Sequence, residues 1–431
     1  MDGRWLAEIN GSAPVCLIHG RVIDGLGSEP IDDGYVLIAN GTIRAVGRSA
    51  AYRQVSDDVR VIDVGGQTIM PGLIDVHAHL VYRGFRSLEE IDRCPVETAT
   101  INAVLNAEQL LRAGYTTIRD VGCIGNVAVA VRDAIAQGKI RGPRVIASGR
   151  IIGPTSGMVD NLPSHWDQRM GLGVRADGPH EIIKVVRQQI KDGVDNIKLG
   201  ASGVEVGAHA YTWMTTFTEE EIRAAVHEAH RWGRTVAIHC QSYEAATYAV
   251  RAGADTIEHG TRMDDETIAL LARSHTILVP TLCTLFSVLE LGEKLNLLPK
   301  QREEMAVNHP LWLDSLRRAH AAGVPIAAGA DIGNRYPHGA NARELAYLVQ
   351  AGLSPMEALL AATSIAARVV RQADTLGALA PGKVADVLVL DGDPLADIRV
   401  LQDHDRIRLV MQGGRAVAGS LWAQSPVAAG A

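Results

Sequence analysis

The sequence predicts an α/β protein: a (β/α)8 TIM barrel over residues 67–376, with a small β-sandwich domain built from residues 1–66 and 377–431. Three observations predict it. The middle of the chain alternates short apolar runs with longer segments of helical period. The two ends share a different grammar, short runs broken by turn signals. A length of 431 residues also exceeds one ordinary core and favours a large domain with an appendage.

At the N-terminal end the runs are Val15 to Ile18, Tyr35 to Ile38, Ile43 to Val46 and Val59 to Val64. Asp32-Asp33-Gly34 and Asn40-Gly41 lie between them as turn signals, which predicts antiparallel strands. The grammar returns at Ala385 to Leu390 and Arg408 to Met411, so the two ends are expected to form one domain. Between them, strand runs begin near Ile74, Thr116, Val145, Asn196, Val236, Thr256, Ile277 and Ile326, eight in all. Glu181 to Lys191 and Glu219 to Arg231 carry helix-period apolar positions, and Thr218 with Glu221 supplies an N-cap and a carboxylate at N3. Eight βα repeats close naturally into a barrel. An open doubly wound sheet fits the same pattern, but it normally shows a Gly-rich nucleotide fingerprint after its first strand. Here that position holds His77-Ala78-His79.

Composition narrows the partners. Apolar residues make up 47% and charged residues 21%, as in ordinary globular proteins, while 4% aromatic content is low for stacking on single-stranded nucleic acid. A net charge of -7 with interspersed signs offers no basic stripe for a phosphate backbone or an anionic membrane. The expected partner is a small molecule, with no nucleic acid and no membrane. Five dispersed cysteines without a Cys-x-x-Cys pair read as buried thiols. The N-terminus lacks a secretory h-region and no run of about 20 apolar residues exists, so a cytoplasmic location is expected.

Chemistry concentrates at the ends of the strand runs. Residues two apart in a strand project to one face, so His77 and His79, closing Leu73 to Val76, can converge on one divalent ion such as zinc. A pair of solvent-facing histidines is the bland alternative. Lys198 sits between apolar neighbours in Asn196-Ile197-Lys198-Leu199, where an unpaired charge is expensive. It can snorkel to solvent, pair with an acid, or react with CO₂ to give a carbamate that bridges two metals. His239 ends Val236 to Ile238, His259 ends Thr256 to Glu258, and Asp331 closes Ile326 to Ala330. Singly, each suits a core histidine or a helix N-cap. Jointly, five strand runs, the first, fourth, fifth, sixth and eighth, all present a ligand-competent residue at the C-terminal edge, where barrel enzymes assemble their sites.

Pro71-Gly72-Leu73-Ile74-Asp75-Val76-His77-Ala78-His79 resembles the opening signature of the amidohydrolase superfamily. Ile197-Lys198, Ile238-His239, Ile257-Glu258-His259-Gly260, Gly329-Ala330-Asp331 and the stretch from Leu376-Gly377 to Pro381-Gly382-Lys383-Val384-Ala385-Asp386 are similar to its later motifs, in order. Ala176-Asp177-Gly178-Pro179, Lys198 and Asn341-Ala342-Arg343-Glu344-Leu345 look most like the branch of Xaa-Pro dipeptidase-like enzymes and hydrolases of N-acyl amino acids or carbamates. The resemblance implies a binuclear amidohydrolase, with zinc the expected metal, that cleaves a C–N bond of an amide, peptide, urea or carbamate. His77, His79 and Asp331 would hold the buried ion, and His239 and His259 the more exposed one. Carboxylated Lys198 would bridge the two. A metal-bridging hydroxide would then be the nucleophile and Asp331 its general base. The branch also implies a homo-oligomer. The alternatives are a non-catalytic scaffold on the same fold and an ester or lactone hydrolase using the same centre, and Lys198 disfavours deamination.

Loops after the strands offer substrate contacts: Tyr82, His209, Tyr211, Tyr243 and His338 foremost, with Arg83, Gln241 and Arg335 beside them. Where dipeptidase relatives commonly read Thr-Gly-Gly-His-Gly-Asp, this chain has Thr155-Ser156-Gly157-Met158-Val159-Asp160. Methionine in place of that histidine favours a hydrophobic amide, urea or carbamate over a dipeptide.

Overall fold

The computed structural model describes residues 13–53, 58–165, 170–205, 207, 209–291, 294 and 299–419. The N-terminal strands are β1 (Val15–Val22), β2 (Ile31–Ala39), β3 (Thr42–Arg48), β4 (Arg60–Asp63) and β5 (Thr68–Pro71). Asn40 and Gly41 turn β2 into β3 with φ of 54° and 73°, the left-handed pair that a tight hairpin requires.

The parallel strands come next: β6 (Leu73–Ala78), β7 (Tyr115–Asp120), β8 (Arg144–Ile146), β9 (Ile151–Gly153), β10 (Gly173–Arg175), β11 (Asn196–Gly200), β12 (Thr235–Cys240), β13 (Thr256–His259) and β14 (Ile277–Val279). They fall into two sheets, β6-β7-β8 and β10-β9-β11-β12-β13-β14, with helices between successive strands except from β8 to β10. Seven expected strand starts match elements here, while β9 and β10 lie where the sequence pattern shows no strand. The eighth expected strand, near Ile326, forms no regular ladder. It makes one parallel bridge, Leu278 to Ile326. Its backbone nevertheless bonds to both neighbours: Ala327 N–H donates to Leu278 O (2.9 Å), and Val76 N–H donates to Ala328 O (3.1 Å). The reason for the irregularity is the run of small residues. A Cβ on Gly329 would stand 2.5 Å from that of His77, so the backbones approach more closely than a standard pairing allows. At the other seam, Asp195 N–H donates to Ala147 O (2.8 Å), tying the start of β11 to the end of β8.

The chain closes with β15 (Val387–Leu390), β16 (Ile407–Gln412) and β17 (Arg415–Ala418). Strands from both ends form a single eight-stranded mixed sheet, β17-β16-β15-β5-β1-β2-β3 with β4 paired to β1. A second, facing sheet, which a sandwich needs, is not found among the described residues. The join is β5, which pairs with β15 on one side and β1 on the other, so the N-terminal strands of this sheet run to Pro71. β15 is buried on both faces: Val387 and Val389 pack into the core of this sheet, Leu388 and Leu390 into that of the parallel strands. That is why it reads as an unbroken apolar run. Leu388→Ala should therefore lower unfolding stability by about 2–5 kcal/mol, measured by denaturant titration, because Leu388 is fully buried against Gly114.

Thr218 and Glu221 form the expected capping box on the helix Glu219–Arg231. All five cysteines are free, four of them buried. No helix among the described residues is long and apolar enough to cross a membrane.

Candidate active site

The six candidate ligands, His77, His79, Lys198, His239, His259 and Asp331, line one cleft of about 100 Å³ at the C-terminal edge of the parallel strands. Parallel strands carry their side chains with period two, and all of β6, β11, β12 and β13 is buried, so strand ends deliver these groups inward. Two ends turn sharply: His259 and Asp331 adopt φ of 70° and 49°. Such conformations cost about 1–3 kcal/mol each for residues with a Cβ, and they concentrate at functional sites.

Each histidine has one ring nitrogen committed and one left over. His77 Nδ1 meets Glu258 Oε2 at 2.6 Å and His79 Nδ1 meets Gly122 O at 2.8 Å, so both keep Nε2 for the cleft. His239 Nε2 meets Gly203 O at 2.9 Å, which leaves Nδ1. His259 Nδ1 meets Thr281 Oγ1 at 2.6 Å; that hydroxyl donates to Pro280 O, so it accepts from the imidazole and leaves Nε2. An outer partner on one nitrogen is what orients an imidazole for metal ligation through the other. Ligand atoms of His77, His79 and Asp331 all lie within 4.8 Å of one another, and the His239 and His259 rings are 4.5 Å apart between centroids.

Electrostatics favour the ligand forms. Burial, and then Lys198, pushes His239 down to about 4 and His77 well below the usual histidine range, so both imidazoles are neutral. Burial alone would raise Asp331, but His77, His79 and Lys198 outweigh it and hold the carboxyl below its ordinary value. Lys198 is 1% exposed and its Nζ has no hydrogen-bond partner among the described residues, so it neither snorkels to solvent nor bonds to an acid among them. Burial pushes its ammonium down to about 8.

Sequence reasoning missed the groups behind these ligands. Arg119 on β7 donates to Glu258 Oε1 (2.8 Å) and to Val76 O (2.6 Å), which ties three strands beneath the cleft, and Thr256 also donates to Glu258. Arg119 stands beside Asp120 in a strand that also carries Thr116 and Thr117, so the signal that singles out Lys198, a charge between apolar neighbours, is absent there. Thr281 and Thr284, the latter donating to Asp331 Oδ2 at 3.0 Å, carry no comparable signal.

The expected substrate contacts divide. Tyr82 lines the cleft, its ring stacked 4.3 Å from that of His79. His338 is buried behind it, with Nε2 3.1 Å from His79 O, and lies outside the lining. His209, Tyr211 and Tyr243 are not brought to the cleft. The segment after β11 folds back on itself through the Ser202–Thr215 bridge and the bond from Gly203 N–H to Met214 O, which leaves His209 exposed and Tyr211 stacked with Trp213. Tyr243 opens the helix Tyr243–Ala252 and is 43% exposed. Arg83 instead bonds Asn106 and Gln109. The cleft receives Met158, Ile151, Leu88 and Val204 as apolar walls, and Gln241, Glu205 and Arg335 as polar ones. Arg335 lies 3.3 Å from Glu205, and Gln241 Oε1 has no partner.

The sequence profile of the amidohydrolase family matches residues 68–417. The ochratoxinase of Aspergillus niger is 30% identical over 436 aligned positions, covering 94% of this chain and 87% of its own. A crystal structure of a Xaa-Pro dipeptidase with methionine in its active site superposes with a TM-score of 0.85 at 32% identity, covering 94% of this chain and all of the other. That of A. niger ochratoxinase gives 0.84 at 27% identity, covering 96% and 98%.

Proposed function

The chain belongs to the amidohydrolase family, and on that premise we propose that it is a binuclear metal-dependent hydrolase that cleaves a C–N bond in a small, largely apolar amide, urea or carbamate. We read the two parallel sheets and the 325–331 segment between them as its (β/α)8 barrel.

The observation that carries the reading is the buried amine of Lys198, without a hydrogen-bond partner among the described residues, lining one cleft with four imidazoles that each have a nitrogen to spare. An ammonium there would repel any cation the imidazoles bind. A carbamate removes the conflict: the neutral amine attacks CO₂, a C–N bond forms as a C–O π bond opens, one proton leaves, and the product presents two oxygens that share one negative charge. His77, His79 and Asp331 would then hold one divalent ion, His239 and His259 a second, with carboxylated Lys198 between them. Bound ions supply an acidified water and polarise the scissile carbonyl.

The protein's own groups do the rest. Asp331 takes the proton of the attacking water and delivers it to the departing nitrogen, which leaves poorly unless protonated. Met158, Ile151, Leu88 and Val204 exclude water around the substrate, and Gln241 Oε1 is placed to accept a hydrogen bond from a substrate N–H. The dipeptidase among the similar structures supports an amide-type bond, and Met158 favours a less polar substrate than a dipeptide.

Protein reconstituted with excess zinc and bicarbonate should contain close to two ions per chain by metal analysis, and should turn over members of a panel of N-acyl amino acids, carbamates, phenylureas and dipeptides. Full activity at a reproducible stoichiometry of one ion or fewer would rule out the binuclear form.

A further inference from the structure

We infer that Asn341 and Glu344, at the start of the helix Arg343–Ala351, act as a two-pronged clamp that sets the spacing of His77, His259 and Asp331; the inference rests on the metal centre proposed above. Asn341 lies two residues ahead of the helix and Glu344 in its first turn, the turn between them is closed by Glu344 N–H donating to Asn341 O at 3.0 Å, and both residues are buried. Neither touches the cleft. Asn341 Nδ2 donates to Asp75 Oδ2 at 2.6 Å, and Asp75 Oδ1 in turn accepts from the backbone N–H of His77 (2.9 Å) and of Ala330 (3.2 Å). One prong therefore ties β6 to the segment that ends in Asp331.

Glu344 takes a different segment. Its Oε1 accepts from Leu282 N–H at 2.9 Å and its Oε2 from Cys283 N–H at 2.8 Å, the orphan amides at the start of the helix Leu282–Leu291. On either side of those amides stand Thr281, which holds His259, and Thr284, which holds Asp331. Thr281 has φ of 52°, so the turn that aims its hydroxyl needs support from outside itself. Because one hydrogen-bonded turn joins the prongs at the entry to the helix, they do not shift independently. The strand end bearing His77 and the turn supporting His259 and Asp331 are referred to one rigid element.

The test is zinc affinity, read by competition with a chelating dye on reconstituted folded protein, together with the thermal midpoint of each variant. Asn341→Ala and Glu344→Ala should each weaken zinc binding by about 10–100-fold, the usual effect of losing an outer partner of a ligand, and should lower kcat with KM little changed. Glu344→Gln keeps one acceptor oxygen for two amides and should fall between wild type and Glu344→Ala; it decides the matter if the alanine variants do not fold. Thr68→Ala is the control, since it removes a buried 2.7 Å bond to Gly392 O in the terminal sheet, remote from the cleft. The clamp is overturned if folded Glu344→Gln and Asn341→Ala bind zinc like wild type, or if Thr68→Ala weakens it as much. Wild-type protein that binds no zinc would instead overturn the metal centre and the clamp together.

Discussion

Lys198→Ala should abolish most activity and release metal, a larger effect than the about 10–100-fold expected from losing an outer partner, because it removes the group proposed to bridge the two ions. The substitution also leaves a hole the length of a lysine side chain in a fully buried strand. Short carboxylic acids such as acetate or propionate should enter that hole and restore part of both metal content and turnover. Lys198→Arg should be as inactive and should not respond to the same acids, since arginine fills the space and does not form a carbamate. Intact-mass measurement under conditions that preserve the carbamate, beside metal analysis of the three proteins, completes the test. An unmodified lysine in fully active protein with both ions bound would end the bridging role, as would an inactive Lys198→Ala that keeps both ions and ignores added acids.

Asp331→Asn should lower kcat by about 10²-fold or more, within the range for a lost general acid–base group. Asparagine preserves size and one ligating oxygen, so metal content should fall far less than kcat. With that oxygen at the Oδ1 position, the amide NH2 takes the place of Oδ2 and can donate to the Thr284 hydroxyl, which now donates to Asp331 Oδ2 at 3.0 Å, and the backbone bond from residue 331 N–H to His77 O at 2.9 Å is unchanged. If Asp331 merely ended a strand or capped the next segment, the same change would lower stability by about 1 kcal/mol or less and leave turnover intact, because Asn caps about as well as Asp. Near-wild-type kcat with both ions bound would refute the proton-transfer role. Kinetics, metal content and thermal unfolding on one sample separate the two outcomes.

Where local chemistry dictates structure, the sequence was legible. The Asn40-Gly41 hairpin, the capping box at Thr218 and Glu221, the order of seven parallel strands and the placing of six candidate ligands at strand ends all follow from period, turn propensity and the cost of burying charge. Lys198 stood out for the same reason, since a charge among apolar neighbours needs an explanation wherever it occurs. Arg119, beside Asp120 in a strand rich in threonine, did not meet that criterion, and its bonds to Glu258 and Val76 come from other strands.

The rest depended on contacts between residues far apart in the chain. Whether the ends form a sandwich or one sheet turned on β5 pairing with β1 and β15 together, and the eighth strand lost its ladder to the close approach of Gly329 and His77. Loop side chains were the least legible, because no period governs their direction. Bonds from Ser202 and Gly203 to the far side of their loop accompany an exposed His209, while Met158, Gln241 and Arg335 line the cleft. The sequence by itself determined which residue types the strand ends present, because alternation and burial act over a few neighbouring residues. Only the tertiary structure decided which nitrogen of each imidazole faces the cleft, because that depends on acceptors supplied by other strands and loops: Glu258, Gly122, Gly203 and Thr281.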